Sequence, residues 1–213
     1  MVFCCFSSEK LSADEAKGKY GSAYGPYAAN EETFDISMCQ APCAEPGCWC
    51  ASMMCFCCAQ MHIRHKALNH LNPDSGWSDY KCCQGVFGGC CCIQPGKMKE
   101  EKCPKFCMCL ESICFPGMAV SATRSIIMDR YQLGLDKDDV RLIRCNNCLQ
   151  IIAICATCLN ICIDFDGDDC VVAIINAIAD IVFCMVSGCM TAQVNHEIEK
   201  REAEAPEAKE MER

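Results

Sequence analysis

The alternation of apolar and polar positions divides the chain into four zones. After an apolar start, residues 7–37 are small and polar, punctuated by Gly18, Gly21, Gly25 and Pro26. That pattern predicts a flexible arm over 1–37. Residues 38–117 alternate short apolar runs with Gly and Pro. Residues 118–195 are strongly apolar with helical spacing, and 196–213 turn to Glu, Lys, Arg and Ala. Three helices follow from the periodicity. One spans 118–133, opened by Pro116-Gly117 and closed by Gly134 as a C′ residue. A second spans 139–163, capped by Asp136, Asp138 or Asp139. A third runs from about Asp169 into the charged end. The expected class is therefore mainly α: a small cysteine-rich helical domain over 38–200 with a long apolar helical hairpin at about 139–195. A flexible N-terminal arm precedes it, and a charged C-terminal helix ends in a tail at 201–213.

The segment 170–194 has about the length that crosses a bilayer. Its polar residues Asn176, Asp180, Ser187 and Thr191 fall within about 60° of one another on a helical wheel. Such a stripe fits a soluble core helix with one wet side. It fits equally a membrane helix whose stripe meets a partner, with Asp180 as a costly and functional group. In the preceding helix Cys148, Cys155 and Cys162 recur every seven residues, and Cys158 joins them within about 80°. Packing is the expected use of that thiol stripe, because free cysteine behaves as a small hydrophobe. The run 149–163 is short for a full crossing, so the two helices are read as a hairpin that dips into a membrane or packs on itself.

Composition sharpens the picture through one residue type. The chain has 26 cysteines in 213 residues. A disulfide framework, thiolate metal sites or a thiol-rich membrane-facing core would each explain that density. Met1-Val2-Phe3-Cys4-Cys5-Phe6 is too short and lacks the basic flank of a secretory signal, so the thiols are expected to be reduced and cytosolic. A net charge of −9 excludes nucleic acid as a partner, since phosphate binding needs clustered Lys and Arg. It also leaves no basic patch for anionic lipid, so membrane attachment must be apolar or covalent.

Candidate chemistry follows the sulfur. Cys4 and Cys5, flanked by Phe3 and Phe6, are candidates for dual acylation, which anchors stably where one chain does so marginally. The densest set is Cys48, Cys50, Cys55, Cys57 and Cys58, and thiolates at short spacing suit Zn²⁺. Cys103, Cys107, Cys109 and Cys114 can complete or duplicate such a site. As a set these do not follow the paired C-x₂-C layout of a zinc ribbon; Cys145–Cys148 and Cys155–Cys158 do, but inside predicted helix. His62 and His65 share a helical face, with His70 nearby, and can ligate or simply sit at the surface. Asp164, Asp166 and Asp168 resemble the start of a calcium loop, but Asp169 stands where Gly is required and Ile175 where Glu is. An acidic turn capping the third helix suffices. A weak internal echo links Cys58-Ala59-Gln60-Met61-His62 with Met190-Thr191-Ala192-Gln193-Val194-Asn195. No nucleophile, acid and base assemble in sequence, so no enzyme is expected.

Trp49-Cys50, four residues, then Cys55-Phe56-Cys57 and Gln60 resemble the hallmark of the placenta-specific-eight type of cysteine-rich proteins. That family includes cornifelin, plant cadmium-resistance proteins and cell-number or fruit-weight regulators. Phe56 stands where the family has Pro. Arg124 and Arg130-Tyr131-Gln132-Leu133-Gly134 are similar to its Arg-containing helix, and Cys184, Cys189, Gln193 and Glu197 to its ending. The likeness covers about 38–200, with 145–165 as an enlargement. It implies membrane association, self-association and links to heavy-metal handling or growth control. The resulting expectation is a non-enzymatic protein at the cytoplasmic face of a membrane that binds or helps move divalent metal. Zinc would sit on Cys50, Cys55, Cys57 and Cys58, with Cys103, Cys107 and Cys109 secondary, in a homo-oligomer or a larger complex. The competing expectation is a structural subunit of a larger assembly whose thiols only pack.

Overall fold

A computed structural model describes residues 27, 30–73, 75–86, 94–97, 99–163 and 169–211. Among these the chain is mainly helical, with no strand and a single isolated bridge between Thr33 and Gly134. The helices are α1 (Ala41–Ala44), α2 (Pro46–Met54), α3 (Phe56–Leu71), α4 (Pro104–Cys114), α5 (Pro116–Tyr131), α6 (Lys137–Ile163) and α7 (Asp169–Met211). Short 3₁₀ turns at Cys82–Gly85 and Glu100–Lys102 lie between α3 and α4. Proline occupies the first or second position of α1, α2, α4 and α5. Its fixed φ suits a helix start, and it disfavours helical geometry in the residue before it, so α2, α4 and α5 open at a corner.

Helix α7, 43 residues long, would extend about 64 Å. Its two halves do different things. The stretch from Val186 to Ile198 is the spine of a helical head: Val186, Met190, Ala192, Val194 and Ile198 are buried against α1, α2, α3 and α5. The expected hairpin therefore ends near Val186 rather than at 195, because the head closes around the second half of α7. Toward its N-terminus α7 pairs with α6 in a two-helix hairpin. Residues 164–168, which join the pair, lie outside the described residues, as does the acidic turn placed there.

Two buried ion pairs fix the head. Arg64 of α3 donates to Glu111 of α4 at 2.8 Å, to the Thr123 hydroxyl at 2.8 Å and to the Ala119 carbonyl at 2.9 Å. Arg124 of α5 pairs with Asp139 of α6, and Asp139 also accepts the Met38 amide at 3.0 Å. All four charged residues are essentially inaccessible. Gln60 donates to Thr191 at 2.7 Å and Gln193 to the Ile36 carbonyl at 2.7 Å. The two segments of the internal echo thus meet face to face on α3 and α7.

The end of the expected flexible arm is not free. Phe34 is buried beneath the Arg124 guanidinium, 4.8 Å from its ring centre, and the Asp35 amide donates to Glu197 at 3.0 Å. Residues 30–37 are therefore docked, because the head supplies both an apolar seat and a carboxylate for them. Gly134 serves this docking instead of ending α5. Gln132 takes the left-handed conformation at that helix end (φ 52°). A Cβ on Gly134 would lie 2.5 Å from the Asn30 carbonyl oxygen.

The hairpin turns its polar side inward. Gln150 donates to the Ala179 carbonyl at 2.8 Å, and Asn176 to Thr157 at 3.2 Å. Ala153 and Ala179 are buried at this contact. Most of the thiol stripe faces away: Cys155, Cys158 and Cys162 are exposed and do not pack within the chain, while Cys148 is half-buried. Ile151, Ile154, Leu159, Ile161, Val171, Ile174, Ile178 and Ile181 are exposed beside it. Asn176 meets α6 as the stripe predicts, but Asp180 is exposed. Both α6 and α7 are long and apolar enough to cross a membrane, yet only 11% and 17% of their most apolar stretches are buried. Within the chain the first half of α7 is therefore not covered as a core helix is, whereas its stretch from Val186 to Val194 is.

Candidate functional site

The densest thiol group lies at the corner between α2 and α3, where α4 packs alongside. Cys55 is the residue between the two helices and the N-cap of α3. Cys57, in the first turn, points toward α4, and its Sγ lies 3.3 Å from Sγ of Cys109. Burial, then contact with Cys109, pushes the Cys57 thiol up to about 11. Cys55 and Cys58 also raise it through charge. Cys58 acts on Cys55 instead: its thiol, and secondarily its amide, hold the Cys55 thiol below the usual range. The Cys58 thiol is raised in return. The sulfur–amide contact is loose, and no capping hydrogen bond of ordinary geometry closes. Beside Cys55 and Cys58 lies an open cleft of about 490 Å³, bounded by Cys48, Ala51, Met54, His62 and Lys66. Glu45, Asn195 and Glu199 form its other side. Burial pushes the Cys48 thiol up to about 11.

Among the described residues one group of three ligand types converges within 4.8 Å: Cys82, Cys83 and Glu111. Its chemistry is not that of an open cation site. Glu111 Oε1 is occupied by Arg64, while Oε2 accepts the Tyr80 hydroxyl at 2.8 Å and the Cys83 amide at 2.7 Å. Cys83 takes a left-handed backbone (φ 46°) to aim that amide. Burial and the nearby Glu111 carboxylate push both thiols up, which disfavours the thiolate a metal needs. A cation would also have to sit beside a buried guanidinium. The cluster is a structural turn held by a carboxylate.

No family model, curated protein sequence or solved structure matches the chain. The geometry is therefore the ground for assigning a role.

The seven cysteines expected as metal ligands divide in the fold. Cys57 and Cys109 meet directly, and Cys55 and Cys58 adjoin them. Cys50 is exposed on α2. Cys103 and Cys107 stand at the start of α4, where burial and then the Glu100 carboxylate raise the Cys107 thiol. Of the histidines, His65 packs on Trp77 with ring centres 5.2 Å apart. His70 is bound between the Tyr131 hydroxyl at 2.6 Å and Glu202 at 3.2 Å. His62 alone of the three lines the cleft. Cys4 and Cys5, the acylation candidates, lie outside the described residues, as does the triplet Cys90-Cys91-Cys92. Sequence reading passed over two things. One is Cys55-Phe56-Cys57-Cys58, a C-x₂-C step hidden by the extra cysteine inside it. The other is the Arg64–Glu111 contact, whose members are 47 residues apart and carry no spacing signal.

Proposed function

We propose that this protein is a non-enzymatic, membrane-inserted, thiol-rich protein whose head holds a thiophilic divalent ion, zinc first, between α3 and α4. The observation that carries the metal half is the Cys57–Cys109 approach of 3.3 Å. Two thiolates on one tetrahedral zinc, each about 2.3 Å from the ion, stand about 3.8 Å apart. A disulfide requires about 2.0 Å. The pair is nearer the first spacing, and an ion needs only a small opening of two helix faces. Cys55 and Cys58 are the neighbours able to add sulfur, with water at any remaining position.

The membrane half rests on exposed apolar surface. From Cys145, just after Arg144, to Ile163 is about 19 residues, or about 28 Å, against a hydrocarbon core of about 30 Å. Asp164, Asp166 and Asp168 then stand between α6 and α7, and Asp169 opens α7. Leaving four carboxylates in hydrocarbon is far costlier than carrying them across, so a hairpin that enters crosses completely. At the head, Phe56 packs on Phe183 with ring centres 6.2 Å apart, which sets the level where the hairpin leaves it. Met54 and Phe115, close by, are exposed, and so are Phe106, Leu110 and Ile113 along α4. These exposed apolar side chains suit the interfacial layer. The thiol-bearing head then lies on the reducing, cytoplasmic side.

Metal analysis of full-length protein purified under reducing conditions tests the first half. About one equivalent is expected, falling sharply in Cys57→Ala/Cys109→Ala. Less than about a tenth of an equivalent in the parent protein removes the metal. Alkaline carbonate extraction tests the second half: the protein stays with the membrane. Release by carbonate together with a fixed set of partner chains points instead to a structural subunit whose apolar hairpin is covered by protein.

A further inference from the structure

We propose that Cys55 and Cys58 form a dithiol–disulfide exchange centre that reacts with disulfides entering the cleft beside them. The inference rests on the reading above only in taking Cys57 and Cys109 as the ion's pair; it assigns the neighbouring Cys55 and Cys58 to exchange and leaves water at the ion's remaining positions. Three observations carry it.

The first is placement. Cys55 is the N-cap of α3 and Cys58 its third residue, the two positions whose side chains reach toward each other across a helix start. The two thiols already make contact there, so closing a disulfide, whose Cβ atoms lie about 3.5–4.5 Å apart, asks only for a small adjustment at this corner. The second is access. Both residues are exposed, and both line the open cleft. Ala51, Met54 and Ala59 give that cleft an apolar wall, and Lys66 with Glu45 and Glu199 gives a polar end, so a peptide or thiol-containing ligand can lie along it. The third is division of labour within the C-x₂-C step. Cys57 is turned away to Cys109 and leaves the neighbouring pair to each other.

The chemistry balances as follows. The Cys55 thiolate attacks one sulfur of the incoming disulfide. That S–S bond breaks, a Cys55 mixed disulfide forms, and the displaced sulfur leaves as a thiolate that takes a proton from water. Cys58 then gives up its proton to water and attacks Cys55. A Cys55–Cys58 bond forms, and the second substrate sulfur leaves and is protonated. Two electrons pass from the pair to the substrate, which becomes a dithiol. A dithiol reductant, acting by the same steps in reverse, restores the pair.

The test uses full-length protein in detergent micelles with oxidised glutathione as the disulfide, followed by peptide mass mapping. In the parent protein the first product is a Cys55–Cys58 disulfide with release of two reduced glutathiones. In Cys58→Ser, one glutathione accumulates on Cys55 and stays. Cys55→Ser forms neither. Cys57→Ala/Cys109→Ala, which removes the proposed ion, leaves the exchange intact, so failure of the metal reading and failure of this one are separable. The inference is overturned if Cys58→Ser traps no more adduct on Cys55 than the parent does, or if glutathione distributes evenly over the exposed cysteines.

Discussion

Replacing Glu111 by Ala probes the least replaceable contact of the head. Glu111 is 3% exposed and its partner Arg64 is fully buried. Loss of the carboxylate leaves a buried guanidinium with only the Thr123 hydroxyl and the Ala119 carbonyl. Breaking one side of such a pair costs about 3–5 kcal/mol. The Tyr80 hydroxyl and the Cys83 amide also lose their acceptor. Each orphaned group costs about 1–3 kcal/mol, overlapping with the first figure, not adding to it. An overall loss of about 4 kcal/mol is expected, near 8–16 °C in melting temperature for a chain of this size. Removing both charges behaves differently: Arg64→Met/Glu111→Leu leaves no uncompensated ion and is expected to recover about 2 kcal/mol or more. The assay is urea denaturation in mild detergent, followed by far-ultraviolet circular dichroism and by tryptophan fluorescence. Trp77 lies 6.0 Å from the Tyr80 ring and reports on this corner. The reasoning is refuted if Glu111→Ala costs less than about 1 kcal/mol, or if the double variant is no more stable than the single one.

Three further outcomes follow from the geometry. A Cβ on Gly188 would meet the Trp49 ring at 3.0 Å. Gly188→Val should therefore push α2 off α7 at a cost of about 1–3 kcal/mol, read by denaturation. Gly188→Ala should fall between it and the parent. Because burial and Cys109 push the Cys57 thiol up to about 11, zinc held there as proposed would have to displace protons. Affinity measured by competition with a chromogenic chelator should rise steadily from pH 6 to pH 9, and a flat profile would exclude Cys57 as a ligand. Lys200 and then His196 hold the Asp35 carboxyl below its usual range, and Lys66 does the same for Glu199. A depressed carboxylate stabilises above the ordinary value near 4 and loses its contribution as pH falls through the folded value. Amide exchange over residues 33–38 should therefore accelerate below about pH 4 while the α5 core stays protected.

What the sequence reveals and conceals follows from the range of the forces involved. The helices at 118–133, 139–163 and from Asp169 were legible to within about two residues, because apolar spacing and the proline and aspartate starts are local signals. The bend at Gly134 was misread for the same reason: its local pattern is that of a helix end, whereas the actual constraint is the Asn30 carbonyl, about a hundred residues earlier. The fate of the arm depends equally on distance, since Phe34 finds its seat beneath Arg124. The site shows the same division. Cys55, Cys57 and Cys58 declare themselves by density, but nothing in their spacing names Cys109, which α4 delivers from 52 residues away.

The hairpin carries the most instructive error, because the helical wheel was drawn correctly and its faces assigned the wrong way round. Cys148, Cys155, Cys158 and Cys162 do lie on one side of α6, and Gln150, Thr157 and Asn160 on another. In water the thiols belong inside, for the hydrophobic effect rewards their burial and amides are content with solvent. Between α6 and α7 polar side chains are inside, Gln150 donating to the Ala179 carbonyl and Asn176 to the Thr157 hydroxyl, while Cys155, Cys158, Cys162 and the isoleucines are out. That inversion is costly in water and favourable in hydrocarbon, where an unpaired amide costs several kcal/mol and an exposed isoleucine nothing. Polarity alone cannot tell a wheel which way to face; the solvent decides. Asp180 then becomes the residue to examine: it is exposed among Ile178 and Ile181, about 16 Å along α7 from Asp169 and so near the middle of the proposed crossing. Asp180→Asn, which removes the charge and keeps the shape, should therefore increase the fraction of hairpin protected from a membrane-impermeant thiol reagent at Cys170. If protection falls, the lipid-facing placement of this side of α7 is wrong.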